Sequence, residues 1–136
     1  MKRRDETTRR KLAKEWLQKA ETDLQAAEHL LQRVPPLLYP SCFFSQQAAE
    51  KYLKGLLTAR QTEFPKTHAI GELLDLLGKT EPSLVRELAD ATALSPYGVE
   101  VRYPGEAPEP NLREAKAALA IAVRVRAAVF NAFPLD

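Results

Sequence analysis

The chain has 136 residues, 45% of them apolar and 28% charged, the size of one domain with a single core, too polar for a membrane protein and too apolar for a disordered one. Twenty Lys and Arg against eighteen Asp and Glu leave a net charge of +2, so nucleic-acid binding cannot be read from charge alone and any basic surface has to be local. A single cysteine, Cys42, rules out an internal disulfide and fits a reducing compartment, and the longest unbroken apolar run, residues 117–123, is far short of a membrane span.

The basic N-terminal stretch MKRRDETTRRK has no apolar segment behind it and is not a signal peptide, so a cytoplasmic location is expected. Residues 1–8 are expected to fray, with Thr7 or Thr8 capping a first helix that runs to about Arg33. Its seam of Ala13, Leu17, Ala20, Leu24, Ala27 and Leu31 alternates spacings of four and three, the pattern of a stripe packed on a neighbouring helix. Trp16, on an adjacent stripe, reads as a packing anchor, and His29 carries no role. Val34-Pro35-Pro36 ends the helix, because neither proline can donate the hydrogen bond that continuation requires.

A second helix follows over residues 41–60, antiparallel to the first because the link is short. Two surfaces are written on it. Cys42, Ala49, Tyr52, Leu53, Leu56 and Leu57 fall on one arc, and Gln47, Glu50, Lys51 and Lys54 fall on another with spacing i, i+3, i+4, i+7. The polar arc has the form of an ordinary solvated face, and Glu50 with Lys54 makes an i,i+4 ion pair. Gly55 inside this helix points to close approach by another helix or by a ligand.

Ile70, Leu73, Leu74 and Leu77 give a short third helix its buried face, with Gly78 placed to end it. Thr80 is set to cap a fourth helix, with Pro82 in its first turn and Leu84, Leu88 and Ala91 facing inward until Ser95-Pro96 breaks it. Residues 95–111 hold four of the ten prolines and two glycines, and read as one long, functional or mobile loop. Val99, Val101 and Tyr103 alternate with polar residues, enough for a short extended segment but not for a sheet. A last helix from about Asn111 to Phe133 is apolar nearly all round its middle turns and so predicts cover on every side, part of it from a second copy of the chain. The whole reads as one all-α domain, residues 1–136, an up-down bundle of four to five helices. Two histidines 39 positions apart and one cysteine build no metal site, and no cofactor motif is present.

Taken together, Trp16, Ala20 and Asp23-Leu24 in the first helix, the run Phe44 to Lys54 (FSQQAAEKYLK) in the second, Lys66-Thr67-His68 before the third, and Arg102-Tyr103-Pro104 in the long loop resemble the HEPN domains. The resemblance spans nearly the whole chain and implies a dimeric helical bundle, often working beside a small nucleotidyltransferase in a prokaryotic two-component, toxin–antitoxin-like module. Some members are ribonucleases whose Arg and His are separated by four to six residues. That spacing is not present here: the corresponding positions after Arg102 are Ala107, Pro108 and Glu109, and seven residues separate Arg60 from His68.

The expected function is therefore nucleotide or RNA binding. Lys51, Lys54 and Arg102 are suited to phosphate oxygens, Gln47 to a base or sugar and Tyr103 to stacking, with Glu50 in the same arc and His68 at the rim. Three alternatives stand beside this reading. The same residues could form a buried polar network tying the long loop onto the second helix, with Glu50 paired to Arg102 or a lysine. They could form a ribonuclease with a non-standard site of His68, Arg102 and Tyr103. Or the domain could be a purely structural helical dimer.

Overall fold

The computed structural model describes residues 6–99, 103–106 and 108–134. It contains α1 (Glu6–Gln32), α2 (Leu38–Ala59), α3 (Ile70–Leu77), α4 (Pro82–Glu87), a 3-10 run (Ala89–Gly98) and α5 (Leu112–Ala132), with no strand among the described residues. The all-α bundle read from the sequence is what the chain forms.

The α1–α2 hairpin is its backbone. Every predicted seam position of α1 from Ala13 to Ala27 is buried, and Leu31 packs against the core edge. Opposite them, Cys42, Ala49, Tyr52, Leu53, Leu56 and Leu57 are fully buried. Gly55 is explained by this packing. A Cβ there would stand 2.8 Å from Leu17 Cδ2 and 3.2 Å from Trp16 Cβ, so only glycine lets α1 lie this close.

α2 packs against α1, α3, the 3-10 run and α5, and α5 runs parallel to it. Arg60, at the C-terminal end of α2, donates to the Ala132 carbonyl at 2.9 Å and pairs with Glu81 at 2.6 Å, while Tyr52 meets Phe130 edge to face at 5.8 Å. The section from α3 through the 3-10 run carries the chain back to the hairpin end, which is what allows this parallel return. The Asn111 side chain accepts from Glu114 N at 2.8 Å and Glu114 accepts from Asn111 N at 2.9 Å, a capping box that starts α5.

Several boundaries differ from the sequence reading. α1 begins at Glu6, so Thr7 and Thr8 lie in its first turn rather than at its cap. α2 begins at Leu38, three residues early, because a proline in the first turn forfeits no intrahelical hydrogen bond, and Pro40 sits there. It ends with Gln61 at φ 57, whose N–H bonds to Thr58 O while Thr62 N bonds to Leu57 O, a closing turn usually made by glycine. Thr80 does not cap α4; Glu81 occupies that position. Pro96 does not break the chain's helical course: α4 tightens after Glu87 into the 3-10 run, which passes through Ser95 and Pro96 to Gly98.

α5 is covered by its own chain on one side only. Ala115, Ala118, Ala122, Val125 and Val129 are buried, but Ala117, Ala120 and Val123 are exposed within the single chain.

Candidate functional site

The polar arc of α2 is not a solvated face. The turn at residues 60–69 folds back over it, bringing Phe64 against Trp16 of α1, ring centroids 6.1 Å apart and edge to face. Beneath this lid Glu50 and Lys54 are buried, their side chains 4% and 8% exposed. The Lys54 ammonium lies 2.8 Å from Glu50 Oε2 and faces the Trp16 and Phe64 rings at 5.5 and 5.9 Å. An i,i+4 pair that would contribute little on a surface is here a desolvated ion pair closed by two aromatic rings.

Glu50 is the hub. Its Oε1 accepts from Gln46 Nε2 at 3.2 Å and lies 3.0 Å from His68 Nδ1. Gln46 also donates to the His68 carbonyl at 3.1 Å and accepts from Gln47 Nε2 at 2.7 Å, so one amide fixes both the backbone and the ring partner of His68. The Thr67 hydroxyl accepts from Ala69 N at 3.0 Å and shapes the turn that presents the histidine. At the other side of Gln46 the 3-10 run ends on Gly98, where a Cβ would come within 3.1 Å of the Gln46 amide carbon. The His68 side chain is 73% exposed. An ionised Glu50 can only accept, so Nδ1 donates to it while most of the ring stays exposed.

The structure thus brings Gln47, Glu50, Lys54 and His68 into one connected group. Lys51 lies beside it on α2, half-buried, in an ion pair with Asp23 of α1. Tyr103 stands 70% exposed on a turn closed by Glu106 N to Tyr103 O, with no hydrogen bond or ring contact to the group among the described residues. Arg102, expected over Glu50, lies outside the described residues. The buried network that the sequence allowed is present, but it secures the turn before α3, and the Glu50 carboxylate is matched by Lys54. Gln46 was missed. Its signal was available, four residues before Glu50 and so on the same face, but a glutamine between Ser45 and Gln47 does not announce burial. No cluster of metal-ligating side chains occurs among the described residues, and no helix of the described chain is long and apolar enough to cross a membrane.

A second polar group crosses the other side of α2. Arg126 of α5 holds Glu21 of α1 with Nε at 2.5 Å and Nη2 at 3.2 Å, and the buried Tyr52 hydroxyl donates to the same carboxylate. Burial raises the Glu21 carboxyl, yet hydrogen bonds from Arg126 and Tyr52 and the arginine charge outweigh it and hold the group below its ordinary value. Burial, with Glu21 next, pushes the Tyr52 phenol well above its ordinary range. A carboxyl depressed in the folded state adds stability above its unfolded value and loses it as pH falls through the folded value. Urea titrations of wild type and Glu21→Gln are therefore expected to differ at about pH 7 and to draw together as the pH falls below the ordinary carboxyl range. A gap that persists unchanged at acid pH would refute the assignment.

A family model described as HEPN domain matches residues 13–132, most of the chain. Among solved structures, the crystal structure of TT1696 from Thermus thermophilus is similar, with TM-score 0.70 and 32% identity, covering 88% of this chain and 96% of that one. Comparison with curated proteins finds no match. The matched span runs from the start of the α1 seam to the last residue of α5 and includes the whole Gln46–Glu50–Lys54–His68 group, and on this ground the chain belongs to the HEPN domain family.

Proposed function

We propose that this HEPN domain is a binding module for a nucleotide or for RNA, and that the ligand meets the α2 face at His68. The observation that carries the reading is the exposed imidazole anchored from behind by a buried carboxylate. Ordering a side chain on a surface has an entropic cost, and here Gln46, Glu50 and Lys54 meet it before any ligand arrives. In this arrangement His68 and Lys51 contact phosphate oxygens and Gln47 reaches a base or sugar. Glu50 and Lys54 act as positioning residues, and Arg102 and Tyr103 are proposed to close the site from the long loop. The exposed Ala117–Ala120–Val123 face of α5 supports pairing with a second copy of the chain, and a small nucleotidyltransferase is the proposed heterologous partner.

Calorimetric titration with ATP and with a short single-stranded RNA tests the binding. His68→Ala and Lys51→Ala are each expected to weaken it about tenfold, as loss of a charge-assisted hydrogen bond does. Lys51→Ala should also lower the salt dependence by about one ion. Equal affinity for wild type and both variants, or no binding by any of them, sinks the proposal. One observation favours a second reading, RNA cleavage: an imidazole with Nδ1 held by a carboxylate and Nε2 free has the arrangement of a general acid or base. Cleavage of the same RNA that disappears in His68→Ala would select it over simple binding.

A further inference from the structure

Gln46 is completely buried, and its amide is hydrogen-bonded along its edges: Nε2 donates to Glu50 Oε1 and to the His68 carbonyl, and Oε1 accepts from Gln47 Nε2. One face of the amide plane is closed by Gly98, the last residue of the 3-10 run. A Cβ on Gly98 would stand 3.1, 3.2 and 3.3 Å from Cδ, Nε2 and Oε1 of Gln46, and distances so nearly equal put it over the face of the amide rather than at an edge. The φ of Gly98 lies outside the left-handed region, so glycine serves here for space and not for backbone freedom. The next residue is tied down as well: the Val99 carbonyl accepts from the Tyr39 hydroxyl at 2.6 Å, which fastens the end of the run to the first turn of α2.

We propose that Gly98 is a positioning residue for His68 that acts through the Gln46 amide, so that the end of the 3-10 run sets the state of the site. The torsion that turns a glutamine amide is soft, and edge hydrogen bonds alone leave the plane free to tilt. Backbone packed on its face removes that freedom. A tilt would lengthen both Nε2 bonds together, and these hold the His68 backbone and the carboxylate that holds the His68 ring. The amide is thus a joint between two segments remote in sequence. Whatever draws Gly98 off the amide loosens His68, and by reciprocity a ligand that needs His68 fixed holds Gly98 in place. The effect on a ligand rests on the function proposed above; the mechanical link does not.

The test uses the chain's two histidines. The carbon-bound ring protons of His68 report its setting by nuclear magnetic resonance, and those of His29, exposed on α1, are the internal reference. Gly98→Ala meets no backbone strain and should fold, but it places a methyl against an amide that cannot retreat without lengthening its bonds. It is expected to move the His68 resonances and to leave those of His29 unchanged. Gln46→Ala removes the joint and leaves Glu50 paired with Lys54, so this variant should also remain folded. Adding Gly98→Ala to Gln46→Ala should then change neither the His68 resonances nor the affinity any further, a double-mutant cycle far from additive. In calorimetric titration with the short single-stranded RNA, Gly98→Ala is expected to bind about three- to tenfold more weakly, since the ligand must order the imidazole itself. A substitution that merely destabilised the bundle would lower the melting temperature and leave both histidines where they are. Unmoved His68 resonances in Gly98→Ala, additive effects in the double variant, or unchanged affinity alongside a shifted ring would each overturn the proposal. No RNA binding by the wild type would instead sink the proposed function, with the ring resonances still deciding whether Gly98 positions His68.

Discussion

Glu50→Ala is expected to cost about 3–5 kcal/mol of stability, because it leaves the Lys54 ammonium buried with no counter-charge. The rings of Trp16 and Phe64 hold the cation but do not replace an ionic partner at 2.8 Å. The turn at residues 60–69 should loosen as well, since His68 loses its ring partner and Gln46 one of its two acceptors. The informative comparison is the double variant Glu50→Leu with Lys54→Met. Removing both charges and keeping their volume should recover most of the loss, to within about 2 kcal/mol of wild type, as buried pairs replaced by apolar side chains do. Urea denaturation of the wild type, the single variant and the double variant measures both quantities. If Glu50→Ala falls within about 1 kcal/mol of wild type, the pair is not desolvated in solution and the site described above is wrong.

Leu53→Asp should abolish folding. Leu53 of α2 is fully buried in the apolar core, and a carboxylate there would have no partner. The lost apolar burial and the desolvation of the new group together exceed about 5 kcal/mol, comparable to the whole stability of a domain of this size. Far-ultraviolet circular dichroism and thermal melting provide the measurement. A helical variant that melts at the wild-type temperature would place Leu53 outside the core.

The five helices were legible because their seams are periodic and because Pro35 and Pro36 mark the link between the first two. Ala13 to Leu31 predicted a buried stripe, and the stripe is buried as far as Ala27. What periodicity cannot show is which polar face another segment will cover. Glu50 and Lys54 have the spacing of an exposed ion pair, and their burial depends on Phe64 and His68 returning over them after a turn. That is a tertiary event with no local signature. The 3-10 run through Pro96 was equally hidden, because the choice between i+3 and i+4 hydrogen bonding is made by packing against α2, α3 and α5 and not by composition. For α5 an apolar average all round the helix does not say which positions the chain itself covers: Ala115, Ala118, Ala122, Val125 and Val129 are buried, and Ala117, Ala120 and Val123 are exposed within the single chain.

The parallel return of α5 along α2 also determines how the chain could be rewired. Arg10 near the start of α1 lies over the Phe133 ring at 5.1 Å, so the outer ends of the first and last helices are neighbours, while the 33–37 loop sits at the far pole. A short linker from the end of α5 to the start of α1, with the loop at 33–37 opened, would yield a circular permutant in which α2 comes first and α1 last. Every helix contact would be retained. The order of the helices along the chain and their arrangement in space are, in this bundle, separable.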